Sequence, residues 1–256
     1  MLRALIERLR QKRRTIAYPA KEPVLPDGLR GRPEIDRSKC AVGCRACVEA
    51  CPVGAVSVSP RGAGARFDLG RCLFCTDCAR ACRAGALRFT QDYRLAVGAR
   101  EDLVFDGSAL RLAMALAGPG RIYKRSLKLR QVSAGGCNAC EADVNVLNTV
   151  VFDLGRFGVQ FVASPRHADG LLVTGPVSRN MALALEKTYA ALPTPRVVIA
   201  VGACALSGGP FAGHPEVRNG VPGTLPVDLF IPGCPPHPMT ILDGLLRLLG
   251  RLPGSG

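Results

Sequence analysis

Twelve cysteines punctuate this 256-residue chain in two tight runs and one dispersed set. The runs are Cys40, Cys44, Cys47, Cys51 and Cys72, Cys75, Cys78, Cys82. The dispersed set is Cys137, Cys140, Cys204 and Cys234. Thiolates are soft ligands that select iron–sulfur clusters and zinc, and four of them complete one cubane. Three sets of four therefore predict three 4Fe–4S clusters, carriers through which electrons pass in series.

Spacing sharpens the chemistry. The second run, CLFCTDCARAC, fits the C-x2-C-x2-C-x3-C pattern that wraps a cubane, with Arg83 where the pattern places Pro. The first run, CAVGCRACVEACP, keeps the Pro but holds one extra residue between Cys40 and Cys44. Gly43 supplies the backbone freedom for a bulge that keeps Cys40 in reach. A loop that failed to do so would leave a three-iron or labile cluster. Structural zinc is the rival, but zinc sites pair CxxC motifs across longer loops. The two runs also form an internal repeat. CRACVEACPVGAVSV aligns with CTDCARACRAGALRF at an offset of 31 residues, while Cys40 and Cys72 are 32 apart. Two half-domains follow, each with a ligand loop, a helical turn and a strand, at Ala55–Val58 and Ala86–Phe89.

The dispersed set needs a different scaffold. Apolar β-branched runs at Leu127–Val132, Val159–Val162, Leu171–Thr174, Val197–Val201 and Leu229–Ile231 predict strands. Helical patterns at Glu141–Leu154, Ser178–Ala191 and Met239–Leu249 alternate with them, which predicts an open parallel sheet flanked by helices. Cys137 and Cys140 follow the first strand, Cys204 the fourth and Cys234 the fifth. Ligands of open α/β sheets collect beyond the C-terminal strand ends, so three loops distant in sequence are expected to meet. Four unrelated buried thiols are the bland alternative.

Elsewhere, residues 2–14 predict a basic amphipathic helix and 15–37 an extended arm. Ser108–Ala117 reads as a helix within the 93–126 linker, stopped by Gly118-Pro119-Gly120. The expected organisation is helix and arm at 1–37, a two-cluster α+β domain at 38–92, the linker, and an α/β domain at 127–251. The start of the chain shows no apolar h-region, so the thiols are expected to stay reduced rather than bridge. No apolar run is long enough to span a bilayer. A net charge of +14 suits acidic partners or an anionic membrane face, whereas aromatics at 5% argue against nucleic acid.

On these motifs the 38–92 region resembles the two-cluster ferredoxin subunits of complex I and of formate-hydrogenlyase-type hydrogenases, and LPDGLRGRPEIDRSKC resembles the arm before their ligands. That resemblance implies crosswise ligation: Cys40, Cys44, Cys47 and Cys82 on one cluster, Cys72, Cys75, Cys78 and Cys51 on the other. GGCNACEADVNVL, FVASPRHADGLLVTGPVSRNM, VGACALSGGPF and PGCPPHP resemble the small subunit of group 4 membrane-bound nickel–iron hydrogenases, homologous to the complex I subunit with the terminal cluster. This second resemblance covers about residues 125–250 and implies a flavodoxin-like domain with a proximal cluster on Cys137, Cys140, Cys204 and Cys234. The two residues between Cys137 and Cys140 are of the hydrogenase kind; complex I subunits have adjacent cysteines there.

The resemblance implies a large catalytic partner subunit, of nickel–iron or quinone-reducing type. It also implies membrane-arm subunits, an upstream donor, and a peripheral place on the cytoplasmic face of the inner membrane. No catalytic residue is assigned to this chain. His237 stands where the family has Arg and reads as a surface residue of a Pro-rich turn or, less plainly, a pH-sensitive neighbour of the cluster. His167 and His214 read as loop residues. Glu141 and Asp143 suit a helix N-terminus. Thr174–Ser178 lacks a dinucleotide fingerprint and reads as a loop packed beside the cluster.

Overall fold

The computed structural model describes residues 2–59, 64–107 and 109–252. The chain opens with α1 (Leu2–Gln11), which ends where Lys12 takes φ +54°. The arm that follows is less free-standing than expected, because Tyr18 is buried in the C-terminal core. Farther on it forms β1 (Pro33–Ile35).

The ferredoxin-like part is built from short pieces. The chain runs α2 (Ala46–Glu49), β2 (Val56–Val58), β3 (Ala65–Asp68), α3 (Asp77–Ala81) and β4 (Leu87–Phe89). β5 (Val104–Phe105) lies beyond it. β1 pairs antiparallel with β4, and β2, β3 and β5 make a second antiparallel sheet. α2 and α3 pack on each other, as the internal repeat requires.

The expected helix at Ser108–Ala117 does not form: Ser108 lies outside the described residues, and 109–117 run without regular structure. Tertiary pairing wins over local preference there. Ala113 N–H donates to Ala96 O, Leu116 N–H donates to Leu248 O, and Leu110 and Ala113 are buried. A 3-10 turn occupies Gly118–Lys124 instead.

The second domain is α/β, as its sequence predicts. In chain order come β6 (Leu127–Ser133), α4 (Ala139–Val146), β7 (Val159–Phe161), β8 (Gly170–Thr174), α5 (Arg179–Ala190), β9 (Val197–Val201), α6 (Ala203–Ser207), β10 (Leu229–Ile231) and α7 (Pro238–Leu248). The sheet order is β10-β9-β8-β6-β7, all parallel, which is the flavodoxin-like 2-1-3-4-5 order. β8 and β9 are buried along their whole length, so their sequences are continuous apolar runs without alternation.

Each face of the sheet has its own core. α7 is buried throughout and packs with α4 against Leu129, Ile199 and Ile231. The opposite face, with Leu171, Val173 and Ala200, is continuous with the apolar interior of the ferredoxin-like part through Leu69, Leu95, Val97 and Leu103. Val97 and Phe230 exchange backbone hydrogen bonds at 3.0 and 2.9 Å, extending the sheet by one bridge into the linker. Burial on this scale resists hinge motion, so the distance between the two parts is held by packing.

Candidate metal centres

The first thiol set gathers around α2 and the end of α3. Cys47 sits in α2, Cys82 caps α3, and Cys40 and Cys44 bracket the loop before α2. The charges of Cys40, Cys44 and Cys82 all bear on Cys47, whose thiol is pushed up first by burial and then by these neighbours. A cavity of about 620 Å³ opens between them, walled by Ala41, Ala46, Val48 and Ala81. The extra residue is absorbed locally. Cys44 N–H donates to Ala41 O at 3.2 Å, and Gly43 takes φ +79°, the left-handed value that the third residue of a type II turn requires.

The second set joins Cys72, Cys75 and Cys78 to Cys51 from the first run. Cys78, Cys51 and Cys75 are the sulfurs that bear on Cys72. Burial pushes the Cys72 thiol up to about 12 and Cys78 to about 11. Two backbone donors point at sulfur: Phe74 N–H to Cys72 Sγ at 3.3 Å and Ala55 N–H to Cys51 Sγ at 3.2 Å. Phe74 and Thr76 hold φ of +53° and +69°, the left-handed twist that curls this loop around its interior. The crossing of Cys51 and Cys82 between the runs follows from α2 packing on α3.

The third set meets at the C-terminal ends of β6, β9 and β10. α4 begins two residues earlier than expected, at Ala139, which puts Cys140 in its first turn. Cys204 lies in α6 and Cys234 follows Pro232-Gly233. Cys204, Cys234 and Cys137 all act on Cys140, whose thiol is raised mainly by burial and next by Glu141. Burial also raises Cys204, to about 11. Cys137 and Cys234 are exposed, so this set lies at the molecular surface, open toward whatever packs there.

Glycines make the room. A Cβ on Gly202 would stand 2.4 Å from Cys140 Sγ, and one on Gly209 would stand 2.8 Å from Cys204 Sγ. Gly175 passes so close to Gly136 N that a Cβ would lie 2.5 Å away, so the Thr174–Ser178 turn packs directly on the loop carrying Cys137. These donors and this space suit a soft, multi-iron cluster. Among the described residues, no three His, Cys, Asp or Glu side chains close on a point that would hold a single metal ion.

Glu141 falls in the first turn of α4, where an acid suits the helix N-terminus. Glu141 is buried, and its Oε1 accepts from Thr174 Oγ1 at 2.5 Å, fixing the loop beside Cys140. His237 is half-buried rather than at the surface. Its Nδ1 accepts from Met239 N–H at 3.1 Å and caps α7, and burial lowers its pKa. Asp143 is half-buried beside the Cys234 loop, and burial raises its pKa. His167 and His214 are exposed. The roles of Gly202 and Thr174 escaped sequence reading; the Gly after an apolar run at Val201-Gly202 was the available signal.

The second and third sets adjoin. Cys75 acts electrostatically on Cys234, and Ser207 Oγ donates to Gly70 O at 2.9 Å across the boundary. The first and second sets also adjoin, since Cys47 of the first acts electrostatically on Cys78 of the second.

Known proteins share both parts. The family model described as the 20 kDa subunit of NADH ubiquinone oxidoreductase matches residues 137–248, and that of a 4Fe-4S dicluster domain matches 39–86. A probable membrane-bound hydrogenase subunit, mbhJ, of Pyrococcus furiosus is 40% identical over 56% of this chain and 85% of its own. Formate hydrogenlyase subunit 7 of Escherichia coli is 43% identical over 50% of this chain, which spans about half (51%) of that relative. A subunit of the NADH-quinone oxidoreductase of Heliobacterium modesticaldum is 39% identical over 46% of this chain and 69% of its own.

Proposed function

Because the chain belongs to the family of the NADH ubiquinone oxidoreductase 20 kDa subunit and carries a 4Fe-4S dicluster domain besides, it is an iron–sulfur electron-transfer subunit of an oxidoreductase complex, and we propose that it relays electrons through three 4Fe–4S clusters. The relay runs between a donor module and the large catalytic subunit of a membrane-bound, hydrogenase-type complex. In order it comprises Cys40, Cys44, Cys47, Cys82; then Cys72, Cys75, Cys78, Cys51; then Cys137, Cys140, Cys204, Cys234. A bound cluster supplies one-electron redox chemistry.

The observation that carries the reading is the hydrogen bond from Ser207 Oγ, three residues after Cys204, to Gly70 O, two residues before Cys72, which ties the second and third thiol groups together. Around them the chain excludes water, burying Cys72 and Cys78, and aims N–H donors at Cys51 and Cys72. Burial and N–H···S bonds are the levers by which a protein sets cluster potential. The exposed Cys137 and Cys234 suit a site that a partner covers.

The hydrogenase reading is favoured by the Cys137–Cys140 spacing and the similarity to mbhJ. Similarity to the NADH-quinone oxidoreductase relative supports a quinone-reducing partner as the second reading. On this reading the chain is a peripheral subunit on the cytoplasmic face of the membrane; among the described residues no helix is long and apolar enough to cross a bilayer.

Anaerobic affinity purification of the chain from its host, with metal analysis and activity of the co-purified complex, tests the proposal. Nickel in the partner and hydrogen evolution with reduced viologen are expected. Quinone reduction without nickel supports the second reading, and a partner lacking either activity overturns both.

A further inference from the structure

α1 and the turn at Val150–Val151 point to a second working surface. α1 buries none of its side chains, although Leu2, Leu5, Ile6 and Leu9 are 74, 58, 40 and 76% exposed. At 100° per residue these four share one stripe, while Arg3 and Arg10 flank it on one side and Arg8 on the other. Lys12, Arg13 and Arg14 follow directly, so residues 2–14 hold six cations against the single carboxylate of Glu7.

The stripe does not stand alone. Thr15 Oγ1 donates to Val150 O at 3.0 Å, and Ile16 N–H donates to Val151 O at 2.9 Å, tying the base of α1 to a turn of the second domain. Val150 and Val151 are themselves 67 and 41% exposed. Between helix and turn lies a groove of about 1140 Å³. Leu5, Leu9 and Val150 line its apolar part, and Arg8, Arg13 and Arg156 its cationic part. Asp153 is the carboxylate on its wall.

We propose that α1 and the Val150–Val151 turn form a lipid-binding surface that lays the protein directly on an anionic bilayer. The leucine stripe enters the acyl boundary, and the arginines meet phosphate headgroups. An exposed apolar stripe bounded by arginines is the pattern of helices that lie in the membrane interface. Arginine stems cover apolar surface while their heads reach outward. Basic residues at such a surface add attraction to anionic lipid that salt screens. An acidic protein surface without an apolar groove would match the charges but leave the aliphatic stripe exposed. This contact is independent of the electron relay and adds to any anchoring by membrane subunits.

The test is co-sedimentation of the full chain with vesicles of phosphatidylcholine alone or mixed with phosphatidylglycerol, at low and raised salt. Binding is expected only with phosphatidylglycerol, and weaker in salt. Leu5→Glu/Leu9→Glu and Arg13→Glu/Arg14→Glu should each reduce it at least tenfold. Leu183→Glu, on α5 at a residue 58% exposed, should bind as wild type. All four replaced side chains are exposed, and unchanged circular dichroism and iron content will show that the variants fold. Equal binding to both vesicles, full binding by the α1 variants, or no binding by wild type would each overturn the proposal. The last result would leave an acidic protein as the occupant.

Discussion

Gly202 abuts Cys140 so closely that a Cβ at the glycine would sit 2.4 Å from the cysteine Sγ. The residue also holds φ +89°, a conformation side chains rarely adopt. Gly202→Ala should therefore displace Cys140 and empty the third site, lowering iron by about four per chain, one cubane's worth. Gly98→Ala, where a Cβ meets nothing within 4 Å, should keep full iron. Iron assay of the two variants side by side checks this; equal iron in both would refute the steric argument.

Cys51 belongs to the first run in sequence but faces Cys72 and Cys78 in space. Cys51→Ala is expected to remove the signal of the second centre and spare that of the first. Cys82→Ala should do the reverse. Low-temperature EPR of the reduced variants reads the outcome, and loss confined to the run that contains the mutated residue would refute crosswise ligation.

A buried polar knot ties the arm to the second domain. Tyr18 OH donates to Asp243 Oδ1 at 2.8 Å, and Arg247 Nε donates to Asp243 Oδ2 at 2.7 Å. Asp243 is fully buried, and the Arg247 side chain is 8% exposed. Asp243→Ala removes the carboxylate that faces a buried guanidinium and should cost about 3–5 kcal/mol. Tyr18→Phe keeps the ion pair and should cost about 1 kcal/mol. Chemical denaturation of the two variants should rank them in that order.

Cluster loading should depend on pH in a definite direction. Burial holds Cys72 up to about 12 and Cys78 and Cys204 up to about 11, so these groups are neutral thiols at pH 7. Iron binding must expel their protons and is favoured as pH rises, by on the order of tenfold per unit for each thiolate formed. The same raised values mean the apoprotein fold binds protons that the unfolded chain has released above about 8.5. Its stability is full below that pH and falls as pH climbs toward 11–12. Iron retained at equilibrium against a chelator at pH 7 and 8.5, with urea midpoints of the apoprotein at pH 8 and 10, measures both effects. Iron retention that fell with pH would contradict them.

The parallel sheet was legible because β8, β9 and β10 are continuous apolar runs, while β6 and β7 set apolar residues such as Leu127, Leu129 and Val159 between polar ones. Convergence of Cys137, Cys204 and Cys234 followed, since each comes just after a strand whose end points the same way. What escaped was short or set by distant partners. β1, β3 and β5 have two to four residues each, too few for an alternation to register. Segment 109–117 has an apolar composition suited to a helix, but the N–H groups of Ala113 and Leu116 are claimed by Ala96 and Leu248. The Tyr18–Asp243 bond joins residues 225 positions apart, and no local pattern announces it.

The central claim is a relay of three clusters, and the most direct measurement is iron and acid-labile sulfide per chain on anaerobically purified protein, with EPR of the reduced sample. The account predicts about twelve of each, as three cubanes require, with three interacting signals. About eight of each, or zinc in place of iron after attempted reconstitution, would contradict it.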